Sequence, residues 1–218
     1  MTADLQSLMN EVSEDQINKE LATRHLHEYI KQSWAVIEPG RTFHDNWHIQ
    51  AICEHLEAVL TGECKRLIIN IPPRHMKSLT TNVAFPTWAW IHYPHLQFLF
   101  ASYVGSLAVR DSVKCRRLIQ SGWYQQNWGD KFQLTGDQNQ KQRFENSENG
   151  VRLSTSVGGA LIGEGGDIIC FPYDQTVHTE NGIQEIGDIV ASPDPIRVWS
   201  YNTTTQKTEL KIVTGKFT

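Results

Sequence analysis

Apolar positions along this chain recur first at helical and then at strand spacing, and the changes of period delimit its elements. Ile17, Leu21, Ala22, Leu26, Tyr29 and Ile30 follow a Ser13-Glu14-Asp15-Gln16 capping box, which predicts one amphipathic helix ending before Pro39-Gly40. Ile49, Ile52, Cys53, Leu56, Val59 and Leu60 mark the face of a second helix, and Gly62 stands where a C-terminal cap belongs. Arg66-Leu67-Ile68-Ile69-Asn70-Ile71 is a short run rich in β-branched residues, the pattern of a strand buried on both faces. Next come a predicted helix over 79–91, bent or interrupted at Pro86, a strand over 96–101 and a helix over 106–120. A hairpin is predicted over 142–157, turning at 147–150. Strands alternating with helices predict an α/β fold with a largely parallel sheet.

The pattern changes near residue 170. Gly165-Gly166-Asp167-Ile168-Ile169 leads into a strand that Cys170-Phe171-Pro172-Tyr173-Asp174 breaks, and strands do not normally end in that way. Thr176-Val177-His178-Thr179, a turn at Asn181-Gly182 and the run Ile183-Gln184-Glu185-Ile186-Gly187-Asp188-Ile189 then predict strand, turn, strand. Arg197-Val198-Trp199-Ser200-Tyr201 and Glu209-Leu210-Lys211-Ile212-Val213, joined by a polar turn at 202–205, predict a second hairpin. A segment this short buries little core, so 170–218 is expected to be only partly ordered without a partner.

Composition narrows the class. The 218 residues leave room for one or two domains, and 39% hydrophobic content is ordinary for a globular protein. The net charge of −4 gives no global signature of nucleic-acid binding. Cys53, Cys64, Cys115 and Cys170 show no metal-type spacing and read as reduced thiols of an intracellular protein. The opening Met1-Thr2-Ala3-Asp4 has neither a secretory nor a membrane-spanning pattern, so a cytoplasmic location is expected.

Chemistry concentrates where the predicted 66–71 strand meets the following helix. A phosphate-binding loop needs backbone N–H groups facing the phosphates, a lysine and a helix-initial hydroxyl for Mg2+. Lys77-Ser78 meets the last two demands, but Ile71 and Met76 occupy both glycine positions of GxxxxGK[ST]. On the bare residues, a basic strand-to-helix turn is the simpler reading. The five glycines within 158–166 lead into a strand without a Lys-Ser pair and read as a flexible connector.

Several motifs, in order, resemble the N-terminal ATPase region of a tailed-phage terminase large subunit over about 43–169. They are Asn70-Ile71-Pro72-Pro73-Arg74-His75-Met76-Lys77-Ser78, Phe98-Leu99-Phe100-Ala101-Ser102-Tyr103, Leu107-Ala108-Val109-Arg110-Asp111-Ser112 and Trp123-Tyr124-Gln125. Gln133-Leu134-Thr135-Gly136-Asp137-Gln138, Arg143-Phe144-Glu145-Asn146 and Thr155-Ser156-Val157-Gly158-Gly159 continue them. The resemblance implies a P-loop NTPase sheet, incomplete here, with Pro73, Arg74, His75, Met76, Lys77 and Ser78 around ATP. Lys77 would bind the β- and γ-phosphates and Ser78 the Mg2+ ion. It also implies an arginine delivered to a neighbouring subunit, for which Arg110, Arg116 and Arg117 are candidates against the simpler reading of solvated helix-face charges. Double-stranded DNA, a portal, a small terminase subunit and further copies of the chain are the implied partners, in an infected bacterial cell. The family's adjacent acids, expected beyond Ile169, do not appear, and a nuclease is expected in the other half of the protein.

From Cys170 onward the sequence resembles the opening block of an intein, which implies an incomplete all-β Hint fold and protein splicing. Cys170 would attack the carbonyl of Ile169, although a lone cysteine is more often a packing residue. The family's Thr-x-x-His block and terminal His-Asn are missing, and His178, the sole histidine after Cys170, reads as a surface residue. The domains so implied are an N-terminal helical region at 1–42, the ATPase portion at 43–169 and an intein N-fragment at 170–218, whose partner is a C-terminal intein/terminase fragment. Other DNA-dependent P-loop ATPases, such as helicases, and a non-catalytic association module are the alternatives.

Overall fold

The computed structural model describes residues 13–72, 74–102, 105–156, 165–171, 176–202 and 205–213. Helix α1 (Glu14–Arg24) begins with the expected capping box: Ser13 Oγ accepts from the Gln16 N–H, and Gln16 Oε1 accepts from the Ser13 N–H. The single helix expected there is two, because His25 adopts an extended conformation and α2 (Leu26–Ile37) starts anew. Its first N–H donates to Glu57 Oε1 at 2.7 Å, a cap supplied from α3 (Trp47–Leu60). Gly62, with φ +80°, takes the left-handed conformation past the end of α3.

Residues 66–71 do not form the expected strand. Leu67, Ile69 and Ile71 lie against the core, and burial alternates as in a strand. Yet 67–71 make no backbone hydrogen bond among the described residues, for want of a neighbouring strand. Beyond the following loop comes a π-helical turn, Leu79–Ala84, continuous with α4 (Phe85–His92). Pro86, near the start of α4, cannot donate to the carbonyl of Asn82 four residues earlier, and a widened turn relieves the clash of its ring. That carbonyl accepts instead from Arg152 Nη2 at 2.9 Å and Cys115 Sγ at 3.1 Å.

Strand β1 (Gln97–Ser102) is a buried inner strand of a five-stranded mixed sheet of order β2-β3-β4-β1-β5. It pairs in parallel with β4 (Val151–Ser156) and β5 (Ile168–Cys170). Strands β2 (Leu134–Asn139) and β3 (Arg143–Asn146) add antiparallel, so the sheet expected to be largely parallel is evenly mixed, with two parallel and two antiparallel pairings. Helix α5 (Gly105–Ile119) contacts β1, β4 and the π-helical turn, and α6 (Gly122–Trp128) follows it. The core is aromatic: the Trp90 ring meets Phe98, Phe132 and Phe144 edge-on, and Tyr29 lies against Trp123 and Trp128.

The hairpin expected over 142–157 is present at 143–156, organised by Asn146. Its Oδ1 accepts from the N–H groups of Glu148 and Gly150, and its Nδ2 donates to the Pro94 carbonyl. A Cβ on Gly150 would stand 2.1 Å from that carbonyl oxygen, so the turn accepts only glycine there.

A separate antiparallel sheet, of order β7-β6-β8-β9, follows: β6 (Thr176–Thr179), β7 (Gly182–Glu185), β8 (Arg197–Asn202) and β9 (Lys207–Ile212). The first turn is formed by residues 180 and 181, with Gly182 (φ +99°) already in β7. Ile186–Ala191 is helix α7 instead of a continued strand. Among the described residues here, Ile189 and Ile196 are the buried hydrophobics, in keeping with the small core anticipated.

Asn146→Ala is expected to lower stability by about 2–3 kcal/mol in urea unfolding, since it strands two turn N–H groups and a carbonyl. A loss under 0.5 kcal/mol would show that the turn is held without it.

Candidate functional site

The loop before Lys77 bends in a manner usually reserved for glycine. Arg74 (φ +68°) and Met76 (φ +65°) both occupy the left-handed region, at a cost of order 1–3 kcal/mol each. Met76 therefore takes the conformation its Cβ disfavours, and its side chain gains contact with the core. His75 is exposed; its Nδ1 lies 3.2 Å from the Pro72 carbonyl and its ring meets His48 edge-on. Pro73 lies outside the described residues.

Lys77 and Ser78 open the helix, and Ser78 makes no side-chain cap bond. The Thr80 N–H donates to the Met76 carbonyl, and the N–H groups of Lys77, Ser78 and Leu79 show no partner among the described residues, as at a helix start open to an anion. The Thr81 hydroxyl lies 2.9 Å from the Lys77 carbonyl and fixes the turn behind the lysine. Lys77 is exposed and forms no ion pair among the described residues. Beside the loop, a cavity of about 610 Å³ runs between α3 and 66–72, lined by Trp47, His48, Ile52, Ile69, Ile71 and His75 among others. Its apolar walls and size suit a planar organic group.

The three candidate arginines lie on α5. Arg110 is engaged with Asp111 Oδ1 through Nε at 3.0 Å and Nη2 at 2.9 Å. Asp111 is buried and also accepts from Asn82 Nδ2. Arg116 and Arg117 close the helix, where cations suit its dipole, and Arg117 is exposed.

Arg152 was not singled out from the sequence. It is 1% exposed, donates to Ser154 Oγ and the Asn82 carbonyl, and stacks over the Phe100 ring at 4.5 Å. Its Nε has no partner, and no carboxylate pairs with it among the described residues. Pro86 inside a predicted helix, with its unclaimed carbonyl, was the available signal.

Cys170 closes β5 opposite Phe100, and its Sγ lies 3.7 Å from Asn82 Oδ1. Burial raises its thiol above the usual range, while the charges of Lys77 and Arg152 oppose that rise. Ile169, opposite Leu99, points to the other face and is 47% exposed. His178 is exposed on β6, as anticipated.

No group of three or more His, Cys, Asp or Glu residues fit to hold a metal occurs among the described residues, and no helix is long and apolar enough to cross a membrane. Comparisons with known protein families, curated proteins and solved structures return no match to the chain.

Burial raises the thiols of Cys53, Cys115 (to about 11) and Cys170. Unfolding above pH 9 therefore releases protons the folded chain retains, so these groups stabilise fully below pH 9 and lose that contribution as pH rises toward 11. The urea midpoint is expected to fall between pH 9 and 11, and less steeply in Cys115→Ala; a flat profile would contradict the burial.

Proposed function

We propose that this chain is the N-terminal portion of a phage DNA-packaging ATPase of the terminase large-subunit type, interrupted at Cys170 by an intein N-fragment. One observation carries the reading: the mixed sheet ends at Cys170, where the sequence changes character, and a wholly antiparallel sheet begins at Thr176. A one-domain enzyme with an ornamental C-terminal hairpin would not need a strand to stop on a cysteine at its sheet edge.

Nucleotide binding rests on the strained loop. Holding Arg74 and Met76 at positive φ is worth its cost where it turns N–H groups toward a ligand. Lys77 would neutralise the β- and γ-phosphates, Ser78 would hold Mg2+, and the cavity beside His75 offers room for the base. Bound ATP supplies the phosphoryl-transfer energy of the motor. Among the described residues Lys77 has no acidic partner to orient water, so on this reading turnover awaits carboxylates contributed by the partner fragment.

Splicing rests on Cys170. Its thiol would attack the Ile169 carbonyl, while a histidine from the complementary fragment protonates the departing nitrogen. The cross-strand register places Ile183, Trp199 and Ile212 on one face of the second sheet, and all three are at least half exposed. An apolar face of this kind favours association with that fragment. It equally favours the non-catalytic association module, which ligation chemistry distinguishes.

The chain is expected to bind MgATP in calorimetry, at least tenfold more weakly as Lys77→Ala, without steady phosphate release. Turnover by the isolated chain that is lost in Lys77→Ala would mean the carboxylates are already present. Mixed with its complementary fragment, the chain is expected to lose 170–218 and ligate at Ile169. Cys170→Ala should abolish ligation and preserve association; ligation by that variant would refute the intein reading.

A further inference from the structure

The junction cysteine belongs to the first sheet and not to the second. Ile168, Ile169 and Cys170 pair with Phe98, Leu99 and Phe100, and Ile168 and Cys170 lie against the host core. The bond that splicing must break therefore lies within a β-ladder. Above it stands Asn82, in the π-helical turn that follows the Lys77-Ser78 loop.

Asn82 joins three elements at once. Its Oδ1 faces the Cys170 thiol and the Thr81 hydroxyl, its Nδ2 donates to buried Asp111, and its carbonyl binds Arg152 and Cys115. A thiol hydrogen-bonded inside a sheet cannot turn back onto the carbonyl of the preceding residue, because that attack requires the backbone at 169 and 170 to leave its extended conformation.

Resting on the reading of Cys170 as a splicing nucleophile, we propose that Asn82 is a positioning residue that latches the junction shut. The folded host then withholds splicing until β5 detaches from β1. On release, the Cys170 sulfur bonds to the Ile169 carbonyl carbon and the Ile169–Cys170 C–N bond breaks. The complementary fragment's histidine gives its proton to the departing nitrogen and takes up the thiol's, leaving a thioester and a free amine. β5 is suited to release, being three residues long and at the sheet edge.

The test is carried out on the full chain. Iodoacetamide labelling of the chain alone is followed at each cysteine by peptide mass spectrometry, and dithiothreitol cleavage after Ile169 is followed with the complementary fragment added to supply the protonating histidine. In the unaltered chain, Cys170, held in the ladder and facing Asn82, is expected to label at least tenfold more slowly than Cys64, which shares its partial exposure but lies outside any strand. Asn82→Ala removes the side-chain acceptor but keeps the carbonyl that holds Cys115; Ile168→Pro removes a ladder donor from β5. Each is expected to speed both Cys170 labelling and cleavage at least tenfold while Cys115 stays protected. Cys170 labelling as fast as Cys64, or variants that expose Cys115 equally, would overturn the latch. So would faster labelling without faster cleavage, or wild-type cleavage unchanged in both variants. Cleavage that persists in Cys170→Ala, or is absent from every chain, would remove the nucleophile reading itself.

Discussion

The carbonyl of Asn82 is the acceptor on which the rest of this architecture depends. Pro86 has no N–H to give it, so a helix that would otherwise close on itself presents a strong acceptor to its surroundings. Arg152 and Cys115 fill it from β4 and α5, tying the segment after the loop to the sheet and to its covering helix. Without those donors a partly buried carbonyl would lose its partners, at a cost of up to about 1–3 kcal/mol. The π-helical turn, the entry of Arg152 into the interior and the placing of Asn82 over β5 thus follow from one missing hydrogen.

Arg152 has no carboxylate partner among the described residues, and the structure offsets the cost of burying it with the Phe100 face, the Ser154 hydroxyl and the Asn82 carbonyl. The positive potential that remains is felt at the Cys170 thiol, together with that of Lys77. Desolvation still prevails, so the sulfur rests protonated. A protonated, hydrogen-bonded thiol is poorly nucleophilic, and packing and electrostatics therefore favour the same dormant state.

What the sequence made legible was short in range. The capping box at Ser13, the α3 face, β1 and the turn at 147–150 depend on residues within a few positions of one another, and all appear as anticipated. The break at His25 was invisible because its cap, Glu57, lies 31 residues away. Residues 66–71 have a strand's composition, but a strand exists only with a partner. Leu134–Asn139 lacks alternation and was missed, while Ile186 and Ile189 suit either a strand or one helical turn. At the candidate site, Lys77, Ser78 and Cys170 could be named from residue type. Arg152 and Asn82 could not, since a charged residue between Val151 and Leu153 reads as a solvent-facing strand position.

The two halves of the chain leave different demands unmet. In the first, the shortfall lies in the backbone: 67–71 pair with nothing among the described residues, and β5 ends the sheet as a three-residue edge whose Ile169 stands half in solvent. In the second, the ladders are complete from β7 to β9, and the shortfall is apolar surface around Ile183, Trp199 and Ile212. Backbone groups are satisfied by a strand of almost any sequence, whereas an apolar face selects for shape. On the proposed reading, recognition of a partner fragment therefore begins at the second sheet. Pairing with the first sheet's edge follows, because that edge becomes fully available only once β5 has given up the junction.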